Sequence, residues 1–236
     1  MNLANNLWKN VSSSVPQPKP KQSGAPKRLL TPLFLGSSVV QWDTKLPAVL
    51  CDEIINHYLT HSREHHGKTV RTDGNIQETN HRKTITRWSL PGDWVPSFMS
   101  NYINIANDEN FQCDITALYY TECHMLEYGP GHYYDWHSDT SYEQCTRASS
   151  ATWSGTRMNY TDHVRKLSFT LQLSDSDDYT GGEMQLVNNC TRDSTFISKE
   201  RGSLCIFDSR VPHRVKPVKT GKRYALVGWA LGPKWK

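Results

Sequence analysis

Between Tyr128 and Thr140 the chain reads YGPGHYYDWHSDT, with two histidines, two aspartates and four aromatic residues around a Gly-Pro-Gly turn. His137 and Asp139 stand two residues apart. On a strand, positions i and i+2 share a face, so an imidazole and a carboxylate at this spacing can meet one metal ion. Asp135 has the same parity and rivals Asp139 by spacing alone. An H-x-D pair is common, and it becomes a site only with a third ligand from elsewhere.

His213 is the candidate third ligand. It follows an apolar strand from Leu204 to Phe207 and a turn, and it opens a segment of alternating character. Two histidines and one carboxylate make a facial triad suited to non-haem Fe(II), with coordination positions left open for a co-substrate and O2. A structural zinc would more often be closed by four protein ligands rich in cysteine, and no such cluster is present. Arg223 comes ten residues after His213, beyond the turn Lys219-Thr220-Gly221-Lys222. Read as two adjacent antiparallel strands, this places a guanidinium near the metal. A planar, always-charged fork buried beside Tyr224 and Trp229 requires an anionic partner. A dicarboxylate fits, one end on the metal and the other on Arg223; the plainer alternative pairs Arg223 with a surface aspartate.

The elements that must position these groups are mostly strands. Short apolar or alternating runs at 115–128, 166–174, 183–187, 194–198, 203–207 and 223–231 are separated by Gly, Asn, Asp and Pro. Ahead of them, Val49, Leu50, Ile54, Ile55, Tyr58 and Leu59 have helical spacing from Pro47 to about Arg63, with Pro47 in the first turn and Asp43 or Thr44 as caps. His57, His61 and His65 share one face of that helix, read as solvated. A second helix covers Trp94 to Ala106, and Leu33 to Leu35 with Val39 and Val40 suggest a first strand. Helices followed by many short strands give a mainly β fold with flanking helices, an antiparallel sandwich or jelly roll. Residues 1–28, rich in alternating Pro and Lys, read as a flexible or irregular tail, leaving one domain over 29–236 with its core at 111–232. The weakly patterned stretch 140–164, carrying Trp153 and His163, reads as a lid.

Composition narrows the partners. The net charge is +4 and the basic residues form no concentrated stripe, so nucleic-acid binding is unsupported. Six scattered cysteines without a CxxC pair suit reduced thiols, and neither a signal peptide nor a membrane span is read. The expectation is a soluble, cytoplasmic protein.

Four blocks in order, YGPGHYYDWHSD, KLSFTLQLS, YTGGEMQL and GSLCIFDSRVPHRVKPVKTGKRYALVGW, resemble the 2-oxoglutarate/Fe(II)-dependent dioxygenases, in particular the prolyl 4-hydroxylase-like group that includes PKHD-type hydroxylases. The resemblance covers roughly 115–232. It implies a double-stranded β-helix (jelly roll, cupin-like) core, with Fe(2+) held by His137, Asp139 and His213, which decides for Asp139 over Asp135. It implies Arg223 as partner of the distal carboxylate of 2-oxoglutarate, Tyr128 as a hydrogen-bond partner of the co-substrate, and Gln172 where relatives often carry a second tyrosine. Tyr134 and Trp229 become pocket-lining candidates, and Gly181-Gly182-Glu183 a structural turn. The chemistry implied is hydroxylation of an unactivated C–H bond, coupled to decarboxylation of 2-oxoglutarate, with O2 consumed and ascorbate as a reductant. A prolyl residue in a protein or peptide is the implied substrate. A free amino acid, another small molecule or a nucleobase is the alternative, and a non-catalytic metal-binding jelly roll is a third.

Overall fold

The computed structural model describes residues 30–32, 38–42, 45–66, 69–70, 76–77, 81–140, 163–187 and 193–235. The tail 1–28, the capping candidates Asp43 and Thr44, Trp153 and almost all of the expected lid lie outside these residues.

Two antiparallel sheets form the frame. The larger has eight strands in the order Leu30–Pro32, Val39–Trp42, Leu204–Asp208, His163–Gln172, Arg223–Pro233, Ala117–Tyr128, Ile85–Trp88 and Glu64–His66. The smaller has five, in the order Ser194–Phe196, Met184–Val187, His213–Val215, Tyr133–His137 and Arg82–Lys83. Leu126, Tyr128, Cys205 and Phe207 of the larger sheet pack with Met184, Leu186 and Val215 of the smaller, so the two sheets share an interior. This is the jelly-roll arrangement expected of many short alternating strands.

The outer face of the larger sheet is covered by two helices, α1 (Ala48–His61) and α2 (Trp94–Ala106). Cys51, Ile54 and Tyr58 of α1 and Val95, Met99 and Ile103 of α2 join Leu167, Phe169, Leu171, Ile206 and Leu226 in one apolar cluster. Strand alternation then sends the intervening polar side chains Ser168, Thr170 and Gln172 to the interior. All three are buried, and they are affordable there only with hydrogen-bond partners. A strand with one greasy face and one buried polar face is thus the device that aims polar groups at a site.

Several expectations are corrected. Pro47 precedes the first turn of α1 instead of lying in it, and its carbonyl accepts from the amides of Leu50 and Cys51. Val49 and Leu59 face outward, while Cys51, Ile54 and Tyr58 are buried against the core with Ile55 packed beside them. His65 lies beyond the helix on the strand Glu64–His66, so the three histidines share no face. His57 instead is half-buried with its Nε2 3.2 Å from Asp93, and its ring stacks on His61. Strands also precede residue 111: Arg82–Lys83 and Ile85–Trp88 lie in a stretch to which the sequence pattern assigned no element. Among the described residues no helix is long and apolar enough to cross a membrane.

Candidate active site

His137 ends its strand and is paired directly opposite His213 on the neighbouring strand. Their rings lie 4.1 Å apart, centroid to centroid. Asp139 is not on a strand. It sits in the bend that follows, where the amides of Asp139 and Thr140 both donate to the carbonyl of Ser209. Each of the three offers one ligand atom, and these atoms lie within 4.8 Å of one another. Asp139 Oδ2 is 3.5 Å from His213 Nε2, and Oδ1 is 3.9 Å from His137 Nε2. Metal bonds to N and O of about 2.0–2.2 Å let one ion span such separations with small side-chain adjustments. Asp135 is exposed, and its carboxylate accepts from the amide of Trp136, so geometry removes it from the set.

The hydrogen bonds behind the ligands fit a metal. Nδ1 of His137 bonds the Asp135 carbonyl at 2.7 Å, and Nδ1 of His213 bonds the Val211 carbonyl at 2.9 Å. A carbonyl only accepts, so each Nδ1 carries its proton and Nε2 is the nitrogen turned towards Asp139. Burial, with His213 alongside, pushes the His137 imidazole down to about 3, so it is neutral at ordinary pH. For Asp139, burial acts to raise the carboxyl. His213, His137, Arg165 and the Ser168 hydroxyl outweigh it and hold the group below its usual range. Ser168 Oγ donates to Asp139 Oδ2 at 2.7 Å and also bonds Ser209. A neutral His137 imidazole and an ionised Asp139 carboxylate are protonation states that suit a divalent ion.

Arg223 opens the central strand of the larger sheet, buried and opposite Tyr128. It reaches the interior from across the jelly roll: the segment Val218–Gly221 intervenes and pairs with Tyr179–Gly181, so His213 and Arg223 do not form the expected hairpin. Arg223 has no carboxylate partner among the described residues, which removes the surface-aspartate alternative within them. Its guanidinium lies 5.3 Å from the centre of the Tyr128 ring. Burial pushes the Tyr128 hydroxyl up, opposed by two cations, Arg82 and Arg223.

Gln172 donates to the Tyr179 hydroxyl at 3.1 Å and to the Ser174 carbonyl. Burial raises the Tyr179 hydroxyl while the adjacent Arg223 opposes this, so Gln172 is linked to Arg223 through Tyr179. Tyr134 stacks on the His137 ring with centroids 3.5 Å apart. Trp229 is buried against His124, and Arg165 lies over it at 3.6 Å while paired with Glu122. His124, fully buried, has Trp88 on one side at 4.3 Å. His132 is half-buried and lies outside the ligand cluster. His163 is on a strand, bonded to Thr116 and removed from the lid role.

Sequence reasoning missed Tyr179, Ser168 and Arg82. The serine could have been found from the alternation of KLSFTLQLS, whose even face is polar. Tyr179 lies on a strand of three residues, too short to show a period.

Comparison with known proteins follows the same lines. Residues 123–231 match the family model described as 2OG-Fe(II) oxygenase superfamily. A PKHD-type hydroxylase of Synechococcus elongatus is 37% identical over 116 residues, covering 48% of this chain and 45% of the relative. One from Hyphomonas neptunium is 41% identical over 63 residues, 27% of each chain. The chain thus spans under half the length of the curated relatives it matches. Among solved structures, a Pseudomonas putida prolyl-4-hydroxylase superposes with a TM-score of 0.57 at 19% identity, over 84% of this chain and 94% of the other. A Trichoplax adhaerens prolyl hydroxylase, solved with a hypoxia inducible factor peptide fragment, gives 0.62 at 20% identity, over 83% and 84%. These superpositions carry the fold.

Proposed function

Given that the chain belongs, through residues 123–231, to the 2OG-Fe(II) oxygenase superfamily, we propose that it is an Fe(II)- and 2-oxoglutarate-dependent dioxygenase acting through His137, Asp139, His213 and Arg223. The observation that carries this reading is the convergence of three ligand atoms within 4.8 Å in an interior that also holds a buried arginine without an acidic partner among the described residues.

Fe(II) and 2-oxoglutarate supply the oxidising power: decarboxylation to succinate and CO2 uses O2 and delivers one oxygen atom to an unactivated C–H bond, with ascorbate as a reductant that keeps the metal in its ferrous state. The residues of the chain bind, orient and shield. His137 and His213 offer Nε2 lone pairs, and Asp139 offers negative charge fixed by Ser168. Arg223 pairs with the distal carboxylate of 2-oxoglutarate, a charge-assisted bond of the kind its geometry favours. We read the Tyr128 hydroxyl, which burial keeps protonated, as a donor to the co-substrate. Gln172 holds Tyr179 beside Arg223, and Tyr134 packs the ring of His137. Trp229 lines the interior and Trp153 remains a lid candidate.

The substrate we propose is a prolyl residue in a protein or peptide, supported by the prolyl hydroxylase and PKHD-type relatives. We read 29–236 as one dioxygenase domain. Four free cysteines among the described residues support a reducing compartment, the cytoplasm. The test is Fe(II)-dependent conversion of 2-oxoglutarate to succinate, with mass spectrometry of proline-containing peptides for an oxygen-sized gain on proline. His137→Ala abolishes turnover; unchanged turnover in that variant would overturn the reading. A gain on a free amino acid or nucleobase, with none on any peptide, would move the substrate class.

A further inference from the structure

Arg82 is a second cation in the same interior, and nothing in the proposed chemistry uses it. It lies on the edge strand Arg82–Lys83, in register with Tyr134, so the two side chains share the inner face. Its guanidinium is 4.8 Å from the centre of the Tyr134 ring, and that ring stacks on His137. Arg82 is therefore one ring removed from a proposed iron ligand. Its Nη2 donates to Thr86 Oγ1 at 3.0 Å, while Nε is buried without a hydrogen-bond partner. No carboxylate pairs with it among the described residues. Its charge acts on His124, Tyr128, Tyr134 and His137, and at the Tyr128 hydroxyl it adds to that of Arg223. The two arginines thus approach Tyr128 from different strands.

Charge counting decides what Arg82 is for. A divalent ion is balanced by Asp139 and the chelating carboxylate of the co-substrate. The other carboxylate balances Arg223. Arg165, the remaining cation near Asp139, is already paired with Glu122 at 3.0 Å. Among the described residues Arg82 is left without a counter-charge, on a planar fork whose Nε is an unused donor. Arg82 is half-buried, but its Nε is out of water with no partner among the described residues, and a carboxylate matches that donor geometry.

We propose that Arg82 docks a carboxylate of the prime substrate beside the reacting C–H bond, so that the enzyme selects acid-bearing substrates. This rests on the dioxygenase reading above. The carboxylate could be the free α-carboxylate of a terminal residue or the side chain of a neighbouring acidic residue, and the test separates these sources.

The protein is loaded with Mn(II) and saturated with 2-oxoglutarate, and small acids are titrated by calorimetry against their neutral twins. One pair is N-acetyl-L-proline and N-acetyl-L-prolinamide; the other is N-acetyl-Pro-Asp-amide and N-acetyl-Pro-Asn-amide. In one pair the acid binds about tenfold tighter than its twin or better, as a desolvated charge-assisted pair commands. Arg82→Gln brings the members of that pair to near equality, Arg82→Lys keeps part of the preference, and the 2-oxoglutarate affinity of both variants matches the wild type. Three results overturn the proposal: no acid preference in either pair, a preference that survives Arg82→Gln, or a main effect of Arg82→Gln on 2-oxoglutarate. Binding of inorganic phosphate in preference to both acids overturns the carboxylate assignment. If 2-oxoglutarate fails to bind the Mn(II) protein at all, the dioxygenase reading falls first and this one with it.

Discussion

His137 and His213 are opposed residues of one antiparallel ladder, so the register of two short strands in the smaller sheet sets the distance between two metal ligands. A slip of one residue would turn either imidazole to the outer face. The sheet contributes the histidines as a rigid pair, and Asp139 arrives from a bend anchored on Ser209. His213→Gln keeps the strand pairing but removes the aligned Nε2. We expect near-wild-type thermal stability of the metal-free protein, with Mn(II) or Co(II) binding lost from calorimetry. Retained stoichiometric binding would mean the ion is held elsewhere.

Ser168 links the two sheets at the site. Its hydroxyl reaches Asp139 from the larger sheet, 29 residues away in sequence, and also contacts Ser209, on which the Asp139 bend hangs. Groups that orient a metal ligand typically change metal affinity by about 10–100-fold when removed. Ser168→Ala should show a loss in that range, with both histidines untouched. Metal titrations of the variant with intact far-UV circular dichroism check this; an unchanged affinity would show that Asp139 is fixed by its backbone alone.

The residue types of the site were legible because each carries chemistry: His137, Asp139, His213 and Arg223 were picked in chain order. Their relative placement was not. The turn before Arg223 suggested a hairpin with the His213 strand, whereas the two strands lie in different sheets. The difference is topological, and a turn of four residues carries no record of which sheet its strands join. Asp139 was placed on a strand that in fact ends at His137. Arg82 was invisible because RKTITRW mixes charged and β-branched residues over strands of two and four residues. Its inward face is Arg82 and Thr86, polar residues that a hydrophobic period cannot report. The helix–sheet core was legible from apolar spacing even in α2, the weaker of the two helical patterns, whose bounds match the expectation.

Acid should destabilise the metal-free protein before its carboxylates titrate. Burial, with Arg82 and Arg165, holds His124 well below the usual imidazole range, and burial beside His213 pushes His137 down to about 3. Both are neutral in the folded state at pH 6, yet each takes up a proton in the unfolded chain below about pH 6.5. The unfolded state then binds more protons, so stability falls as pH drops through 6.5 and continues falling towards the folded values. Each group contributes roughly 1–2 kcal/mol of loss between pH 7 and pH 5. Asp139 acts in the same direction only below about pH 4, because its carboxyl is held low. Thermal melts of metal-free protein should show the Tm falling across pH 7 to 5, less steeply in His124→Phe, which keeps a ring between Trp88 and Trp229. A Tm that is flat over this range would contradict the burial of a neutral His124.

The glycine turn should tie the co-substrate half of the site to the fold without touching the metal half. Gly182 has φ of +63°, and an added Cβ would lie 2.9 Å from Val218 Cγ2, 3.2 Å from Arg223 Cδ and 3.2 Å from the Tyr179 ring. Two penalties follow for Gly182→Ala. The left-handed backbone costs about 1–2 kcal/mol for a residue with a Cβ. The new methyl group also presses on the stem of the arginine proposed to hold 2-oxoglutarate and on the tyrosine beside it. Val218 is fully buried and cannot yield outward, so Arg223 must move. The variant should therefore be less stable by about that amount, with a KM for 2-oxoglutarate raised severalfold and an affinity for Mn(II) close to wild type. His137, Asp139 and His213 share no contact with this turn, which is why the two readouts separate. Equal losses of metal and 2-oxoglutarate affinity would instead indicate that the jelly roll yields as a whole, and that Gly182 supports the fold without any particular hold on Arg223.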